Sequence, residues 1–392
     1  MKTSDYFDYN ATTPVDPRVL EKMLPFFSER FFNVSSFYHQ AGETLAEMEA
    51  ARKHLAELIG AGPEELIICG SGTESDNLAI LGTARLKGKG HVITSAIEHP
   101  AVLNTCKALQ KEGFEVTFLP VDGHGFVSPE DLRKAIRPDT FLVSVMWANN
   151  EIGTVQPVAE LARISHEHGA LFHTDAVQAV GKLPIDVTAT DVDLLSFSAH
   201  KIYGPKGLGV LYKRKGIALK PLVYGGGHEK GLRSGTENVA AIVGAGEAAR
   251  LIQEEMTDET ARLRIWRDRL EDRIATLIPK VLVNGDREPR LPNTLNVSIR
   301  FIEGEGMLAL LEQHNLALSS GSACSSKSLD PSHVLLALGR SHEDAHGSLR
   351  ISMGRFTREE DVNHLLEHLP PVVERLRRMS PLWREQLEQT GK

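Results

Sequence analysis

From about residue 44 the hydrophobic pattern switches repeatedly between a helical period and short apolar runs. ETLAEMEAARKHLAELIG carries an apolar stripe at helical spacing, ELIICG reads as a short buried strand, and ESDNLAILGTARLK returns to the helical pattern. HVITS, EVTFLP, TFLVSVMWA, ALFHTD, DLLSFS and GVLYK are further apolar or β-branched runs, set apart by stretches such as PAVLNTCKALQKEG, SPEDLRKAIR and PVAELARISHEHG. Strands alternating with helices in this way predict an α/β fold with a mostly parallel sheet covered on both faces. Ligands of such sheets sit at the carboxyl ends of the strands, so the residues that close each run carry the most weight.

From Glu237 to Ile278 the helical pattern is nearly unbroken. That is longer than one ordinary globular helix, and Thr257 with Asp258 predict a restart cap, so the stretch reads as the join between two domains. Beyond Pro279 the runs NTLNVSI, MLALLEQ and SLRISM, with a closing helix through the 360s and 370s, predict a smaller α+β unit. Within it, LALSSGSACSSKSLDPS is too rich in Ser, Gly and Ala to pack a core and predicts a surface loop. A length of 392 residues also suits two domains better than one core.

Composition narrows the class. Hydrophobic residues at 41% and charged residues at 24% are ordinary globular usage and argue against disordered, collagen-like or coiled-coil chains. The net charge of -8 comes with no basic block, which argues against a nucleic-acid partner. The start MKTSDYFDYN has no cationic stretch followed by an apolar run, and no segment has the length of a membrane span, so a cytoplasmic chain with no membrane partner is expected. Cys69, Cys106 and Cys324 are far apart, without a CxxC pair, and support neither a disulfide framework nor a thiolate zinc site.

Several strand ends carry candidate chemistry. Ser71-Gly72-Thr73 lies between a strand and a helix, where small residues expose N–H groups to an anion, or where Ser71 simply caps the helix. The stretch GTARLKGKG is not a P-loop, and Gly244 to Ala249, a loose G-x-G-x-x-A, sits inside a helical run where helix packing explains it. Asp175 closes ALFHTD, where a carboxylate holds a cation or a protonated ring nitrogen, or forms a turn. His173 shares its face, yet no third metal ligand stands at a familiar spacing.

Lys201 follows Ser198 and His200 at the end of SFSAHK, and a desolvated lysine amine beside other cations is what carbonyl chemistry requires. An aldehyde anchor, a ring-nitrogen partner and an anion site are together the contacts that pyridoxal phosphate demands. His99 offers an imidazole to stack on a flat ring or to start a helix, and Asn150 a carboxamide for a phenolic oxygen or a turn. Arg350, on a strand pattern, needs a carboxylate from a substrate or from an internal salt bridge. Cys69 and Cys106 fit inert buried cysteines, whereas Cys324, flanked by small polar residues, is placed for a reactive thiolate.

With these residues go DYNATTPVDPRV, GTESDNLAI, EHPAVLNTC, NNEIGTVQP, HTDAVQAVGKLPIDV, SFSAHKIYGPKGLGVLY, GGGHEKGLRSGTEN, LSSGSACSS, LRISMGRFT and SPLW. Over nearly its whole length the chain resembles the pyridoxal-phosphate cysteine desulfurases of the NifS and IscS kind. The resemblance implies a fold-type-I homodimer, with a large cofactor domain at 15–257 and a small domain of 1–14 plus 258–392. It implies pyridoxal 5'-phosphate as cofactor, held by Lys201 at the aldehyde, Asp175 at the ring nitrogen and His99 on the ring face. Asn150 and Gln178 match contacts to the ring oxygen. Gly72, Thr73, Ser198 and His200 match the phosphate cup, and Thr236 matches a phosphate contact from the other subunit.

The resemblance further implies that Arg350, helped by Asn33, binds the carboxylate of L-cysteine. Cys324 would accept the sulfur as a persulfide, leave L-alanine, and pass sulfur to an iron–sulfur scaffold or another acceptor protein. No metal site is implied, apart from Cys324 as a candidate iron–sulfur ligand. The FFNVSS segment departs from the family's usual F-G-N-P-S-S around Asn33, and CGSGTES has Gly72 where alanine is usual. A related pyridoxal enzyme that does not need Cys324, and a non-catalytic sulfur carrier of the same fold, are the competing readings.

Overall fold

The computed structural model of the chain describes residues 5–320 and 330–390. The strands are β1 Leu66–Cys69, β2 His91–Ser95, β3 Glu115–Leu119, β4 Thr140–Ser144, β5 Leu171–Asp175, β6 Leu194–Ser198 and β7 Gly209–Lys213, followed by β8 Val281–Val283, β9 Thr294–Ile299 and β10 Ser348–Ser352. The first seven form one sheet in the order β1-β7-β6-β5-β4-β2-β3, and the last three a second sheet in the order β10-β9-β8. From β3 to β6 all pairings are parallel, and only β7 runs antiparallel to its neighbours β6 and β1. The sheet is thus mostly parallel and the fold α/β, as the alternating pattern predicts.

Burial explains the composition of these strands. Every residue of β2, β4 and β6 is buried, because helices cover both faces, so the runs are continuous in Val, Ile, Leu and Phe instead of alternating. The edge strand β3 is half-buried along most of its length. Since β1 and β6 both run antiparallel to β7, they are parallel to each other, and the carboxyl ends of β1, β2, β4, β5 and β6 share one side of the sheet. The largest apolar cluster lies around this sheet, while a second one joins Phe7 to residues from Leu263 to Val373 around the antiparallel sheet.

The structure corrects one expectation. No restart occurs at Thr257 and Asp258: Val239–Leu277 is a single helix of 39 residues. Both side chains face water, where polar residues interrupt nothing in an exposed helix face. What changes along the helix is its partner. Ala241 to Ile252 pack into the first apolar cluster, and Leu263, Leu270 and Ile274 into the second. A Cβ at Gly246 would meet Ala51 at 2.4 Å and one at Gly244 would meet Met23 at 2.5 Å, so the G-x-G-x-x-A spacing serves close helix packing.

The N-terminal segment lies between the two sheets. Phe7 N donates to Ala317 O, and Ser352 N donates to Phe7 O, both at 2.8 Å, which lays residues 6–8 beside β10. Asn10 then donates to Thr294 Oγ1 at 2.9 Å and to the Asn150 carbonyl at 3.1 Å. This places the Asn10 and Ala11 carbonyls at the carboxyl end of the large sheet.

Candidate active site

The carboxyl ends of the parallel strands open into a cavity of about 280 Å3. Its lining brings together Gly72, Thr73, His99, Asn150, Asp175, Gln178, Ser198, His200, Lys201 and Arg350, residues from distant parts of the chain. Ser71, Asn10, Ala11, Asp76, Met146 and Val177 complete the wall. Asn10, Ala11, Asp76 and Val177 stand inside the DYNATTPVDPRV, GTESDNLAI and HTDAVQAVGKLPIDV segments and Met146 inside TFLVSVMWA, but no chemistry of their own singles them out in the sequence. Only the position of the N-terminal segment, a consequence of tertiary pairing with β10, brings Asn10 there.

Each strand end presents its group for a local reason. Helix Gly72–Lys87 starts directly after β1, and Ser71 caps it by accepting from Glu74 N at 3.1 Å. The first N–H groups of a helix have no partner within it, so Gly72 and Thr73 offer theirs to an anion. A Cβ at position 72 would stand 3.0 Å from Val177 Cγ2, so glycine lets this helix end lie against the turn after β5. Both readings of Ser71-Gly72-Thr73 therefore coexist, with the serine as cap and the two N–H groups facing the cavity.

Asp175 Oδ1 accepts from Val177 N at 2.9 Å, which turns the chain and aims the carboxyl group into the cavity. Burial raises its pKa, while His99, the Val177 bond and Lys201 pull it down. Asp76, in the helix beside it, is raised well above the usual carboxyl range by burial and by Asp175, with Glu98 adding to the effect. Two enclosed carboxyl groups cannot both ionise freely, so one proton stays at this end of the pocket. Asp76 Oδ1 is buried without a hydrogen-bond partner. A cation in the cavity would relieve this accumulation of acid.

His173 lies behind the wall, bonded to Ser144 Oγ at 2.8 Å and Ser196 Oγ at 3.1 Å, and burial pushes its pKa down to about 3. Its ring is a neutral member of the core. Among the described residues no group of three or more side chains could hold a metal ion.

His99 is the N-cap of helix Pro100–Lys111, with Nδ1 accepting from Ala101 N at 3.1 Å. Burial lowers its pKa, Lys201 and His333 add to that, and Asp175 opposes it. A neutral ring whose Nδ1 accepts carries its proton on Nε2. Lys201 stands in the turn after β6 and donates to the Ala11 carbonyl at 2.7 Å and to the Asn10 carbonyl. Ser198 Oγ donates to Leu208 O at 3.1 Å, and His200 Nδ1 pairs with Thr12 Oγ1 at 3.1 Å, burial lowering the histidine to a pKa of about 4. Arg350 bonds Asp8 Oδ1 at 2.7 Å and the Asn150 carbonyl at 3.2 Å, and its buried Nε has no partner. The internal salt bridge exists, and the guanidinium still faces the cavity.

Three expected site residues are not among these. Asn33 is exposed, and its Oδ1 accepts from Ser35 N at 2.9 Å in a local turn away from the cavity. Thr236 is exposed and does not line the cavity of its own chain. Cys324 lies outside the described residues. Cys69 and Cys106 are buried, which pushes both thiols up to about 12 and leaves them inert.

The donor set fits pyridoxal phosphate. A helix N-terminus suits the phosphate, an enclosed carboxyl pair with an unpartnered oxygen suits a protonated ring nitrogen, and the Lys201 amine suits the aldehyde. Comparison with known proteins decides the family. Residues 5–365 match the aminotransferase class-V family. A cysteine desulfurase IscS of Dictyoglomus turgidum is 50% identical over 388 residues, covering 98% of each chain. One of Methanosarcina thermophila is 51% identical, covering 96% of this chain and 94% of its own.

This chain belongs to the class-V aminotransferase family, among its cysteine desulfurases. The fold agrees with that membership. A NifS-like protein superposes with a TM-score of 0.89 at 40% identity, covering 95% of this chain and 99% of its own. A structure described as SspA in complex with cysteine superposes with a TM-score of 0.80 at 39% identity, covering 90% of this chain and all of its own. The desulfurase fold is thus continuous over both sheets. Among the described residues no helix is long and apolar enough to cross a membrane.

Proposed function

We propose that this protein is a pyridoxal-phosphate-dependent cysteine desulfurase, which takes the sulfur of L-cysteine onto Cys324 as a persulfide and releases L-alanine. The observation that carries the proposal is the convergence of Lys201, Asp175, His99 and the helix start at Gly72 on one cavity. The Gly72 and Thr73 N–H groups, with Ser198 and His200, would hold the phosphate. Asp175 would hold the ring nitrogen, His99 the ring face, and Asn150 and Gln178 the ring oxygen. The bound cofactor supplies an electron sink for the pair left behind when Cα loses its proton.

The chain's own groups do the rest. Lys201 Nζ, held at the cavity wall by the Asn10 and Ala11 carbonyls, would be the base that takes the proton from the reacting carbon. Asp175, ionised against a cation, would keep the ring nitrogen protonated, and burial beside Asp175 raises Asp76 and favours its protonated form. His99 offers Nε2–H as a donor to the substrate side. Arg350, which lines the cavity and whose guanidinium Asp8 holds in place, would bind the substrate carboxylate. The sulfur leaves carbon for the Cys324 thiolate, so cysteine and enzyme thiol become alanine and enzyme persulfide.

The active unit of this reading is a homodimer. Phe27 and Phe31 are 63% and 64% exposed, and with Leu24, Phe37 and Tyr38 they form an apolar surface that a second copy would cover. That copy would bring its Thr236 to the phosphate. Residues 15–257 would be the cofactor domain, and 1–14 with 258–392 the small domain that presents Cys324 to an iron–sulfur scaffold or other acceptor protein. A cytoplasmic setting suits a reduced thiol.

Incubating the purified protein with L-cysteine tests the proposal. Equimolar alanine and transferred sulfur, lost in Cys324→Ala, are expected. Turnover of L-cysteine at the wild-type rate in Cys324→Ala would contradict it.

A further inference from the structure

Lys182 is half-buried in the turn after β5, outside the cavity wall. Its Nζ donates to Gln178 Oε1 at 2.9 Å and to the Gln178 carbonyl at 3.2 Å. Among the described residues no carboxylate lies within ion-pair distance of it. Burial pushes its amine down to about 7, Lys201 and Arg350 push the same way, and Glu259 opposes them. Enclosing an amine without an anion is costly, and an apolar side chain would fill the same space at less expense.

The reason lies at the other end of the glutamine. Gln178 Nε2 donates to the Asn10 carbonyl at 2.9 Å, the same oxygen that receives Lys201 Nζ. The amide could in principle lie either way round. A flip would press its NH2 against the Lys182 amine and its oxygen against the Asn10 carbonyl, replacing two hydrogen bonds by two repulsions. With the oxygen held by Lys182, one Nε2 hydrogen goes to Asn10 and the other is left for the pocket.

We propose that Lys182 is a positioning residue: through the Gln178 carboxamide it fixes a hydrogen-bond donor toward the cofactor pocket and steadies the Asn10 carbonyl on which Lys201 rests. The proposal deepens the cofactor reading of this pocket and rests on it for the spectral arm of its test alone.

The first arm uses the full chain without cofactor. Crystal structures of Lys182→Met and Lys182→Arg are compared with the wild type. In the Met variant the Gln178 carboxamide is expected to leave the Asn10 carbonyl, and in the Arg variant, which keeps a donor at Oε1, to stay. A carboxamide unmoved in Lys182→Met overturns the proposal. If that variant does not fold, Lys182→Leu, which likewise has no donor for Gln178 Oε1, serves in its place with the same two outcomes.

The second arm follows the visible band of the pyridoxal-loaded protein against pH. Lys182→Met and Gln178→Ala are each expected to move its midpoint in the same direction, by about one unit or tenfold in proton affinity, with no further move in the double variant. A double variant that shifts by the sum of the two overturns the proposal. Should the wild type show no visible band, the cofactor reading fails, and the crystallographic arm still decides the role of Lys182.

Discussion

Two concavities of the molecule differ in kind. One is a groove of about 750 Å3 between Pro120, Phe126, Val127, Pro157 and Pro289, with Asp122, Asp131 and Glu160 around it. The other, at the strand ends, has about a third of that volume, about 280 Å3, and is walled by side chains from Asn10 to Arg350. Asp122 and Glu160 of the groove are exposed and Asp131 is half-buried, whereas burial displaces Asp76, Asp175, His99 and His200 of the smaller cavity from their ordinary values. Volume reflects how loops happen to meet. Convergence of desolvated charges is costly to build and persists where chemistry uses it.

Substitutions sharpen this contrast, beginning with the largest effect. Lys201→Ala should lower L-cysteine turnover by about three orders of magnitude or more, since it removes both the aldehyde anchor and the base. A steady-state alanine assay reads this directly, and residual activity near wild type would remove the strand-end cavity from the account. Asp175→Asn should cost about 10²–10³-fold in kcat, because an amide cannot hold a positive charge on the ring nitrogen. Arg350→Met should act mainly on binding, raising KM for L-cysteine about tenfold or more as a charge-assisted bond worth roughly 1.5–3 kcal/mol is lost.

Glu98, next to His99, gives a pH test. Burial raises its carboxyl from 4.5 to about 8, while Ser95 and the Met146 N–H hold it through Oε1. A raised folded pKa means stability that is complete below the unfolded value near 4.5 and is lost as pH rises through about 8. Urea unfolding between pH 5 and 9 should therefore show a fall that Glu98→Gln flattens, by about 1.4 kcal/mol per unit at most. Equal slopes in both proteins would contradict it. The smallest effect belongs to the groove: Glu160→Gln should leave turnover unchanged and stability within about 0.5 kcal/mol.

Much of this site was legible because the strands are fully buried. A continuous apolar run such as LLSFS marks both a central strand and the point where it stops, so the polar residues after it, His200 and Lys201, stood out. Asp175 and Ser71-Gly72-Thr73 were visible for the same reason. Asn10, Asp76 and Asp8 did not stand out, since their roles come from tertiary neighbours and not from the local pattern, as between Asp8 and Arg350. The long helix was misread at Thr257 because a capping residue signals an end only where the backbone needs a partner, and here the exposed face simply continues. Asn33 shows the reverse limit. A residue that matches a family position can serve its own turn within one chain.

The central claim is that Lys201 is the amine that carries the cofactor. Lys182 is the natural competitor, since its amine is also pushed down, to about 7, and lies close behind the pocket. Borohydride reduction of the pyridoxal-loaded protein, followed by peptide mass spectrometry, distinguishes them. The account predicts one pyridoxyl adduct per chain, on the peptide containing Lys201. An adduct on Lys182, or scattered over surface lysines, would contradict it.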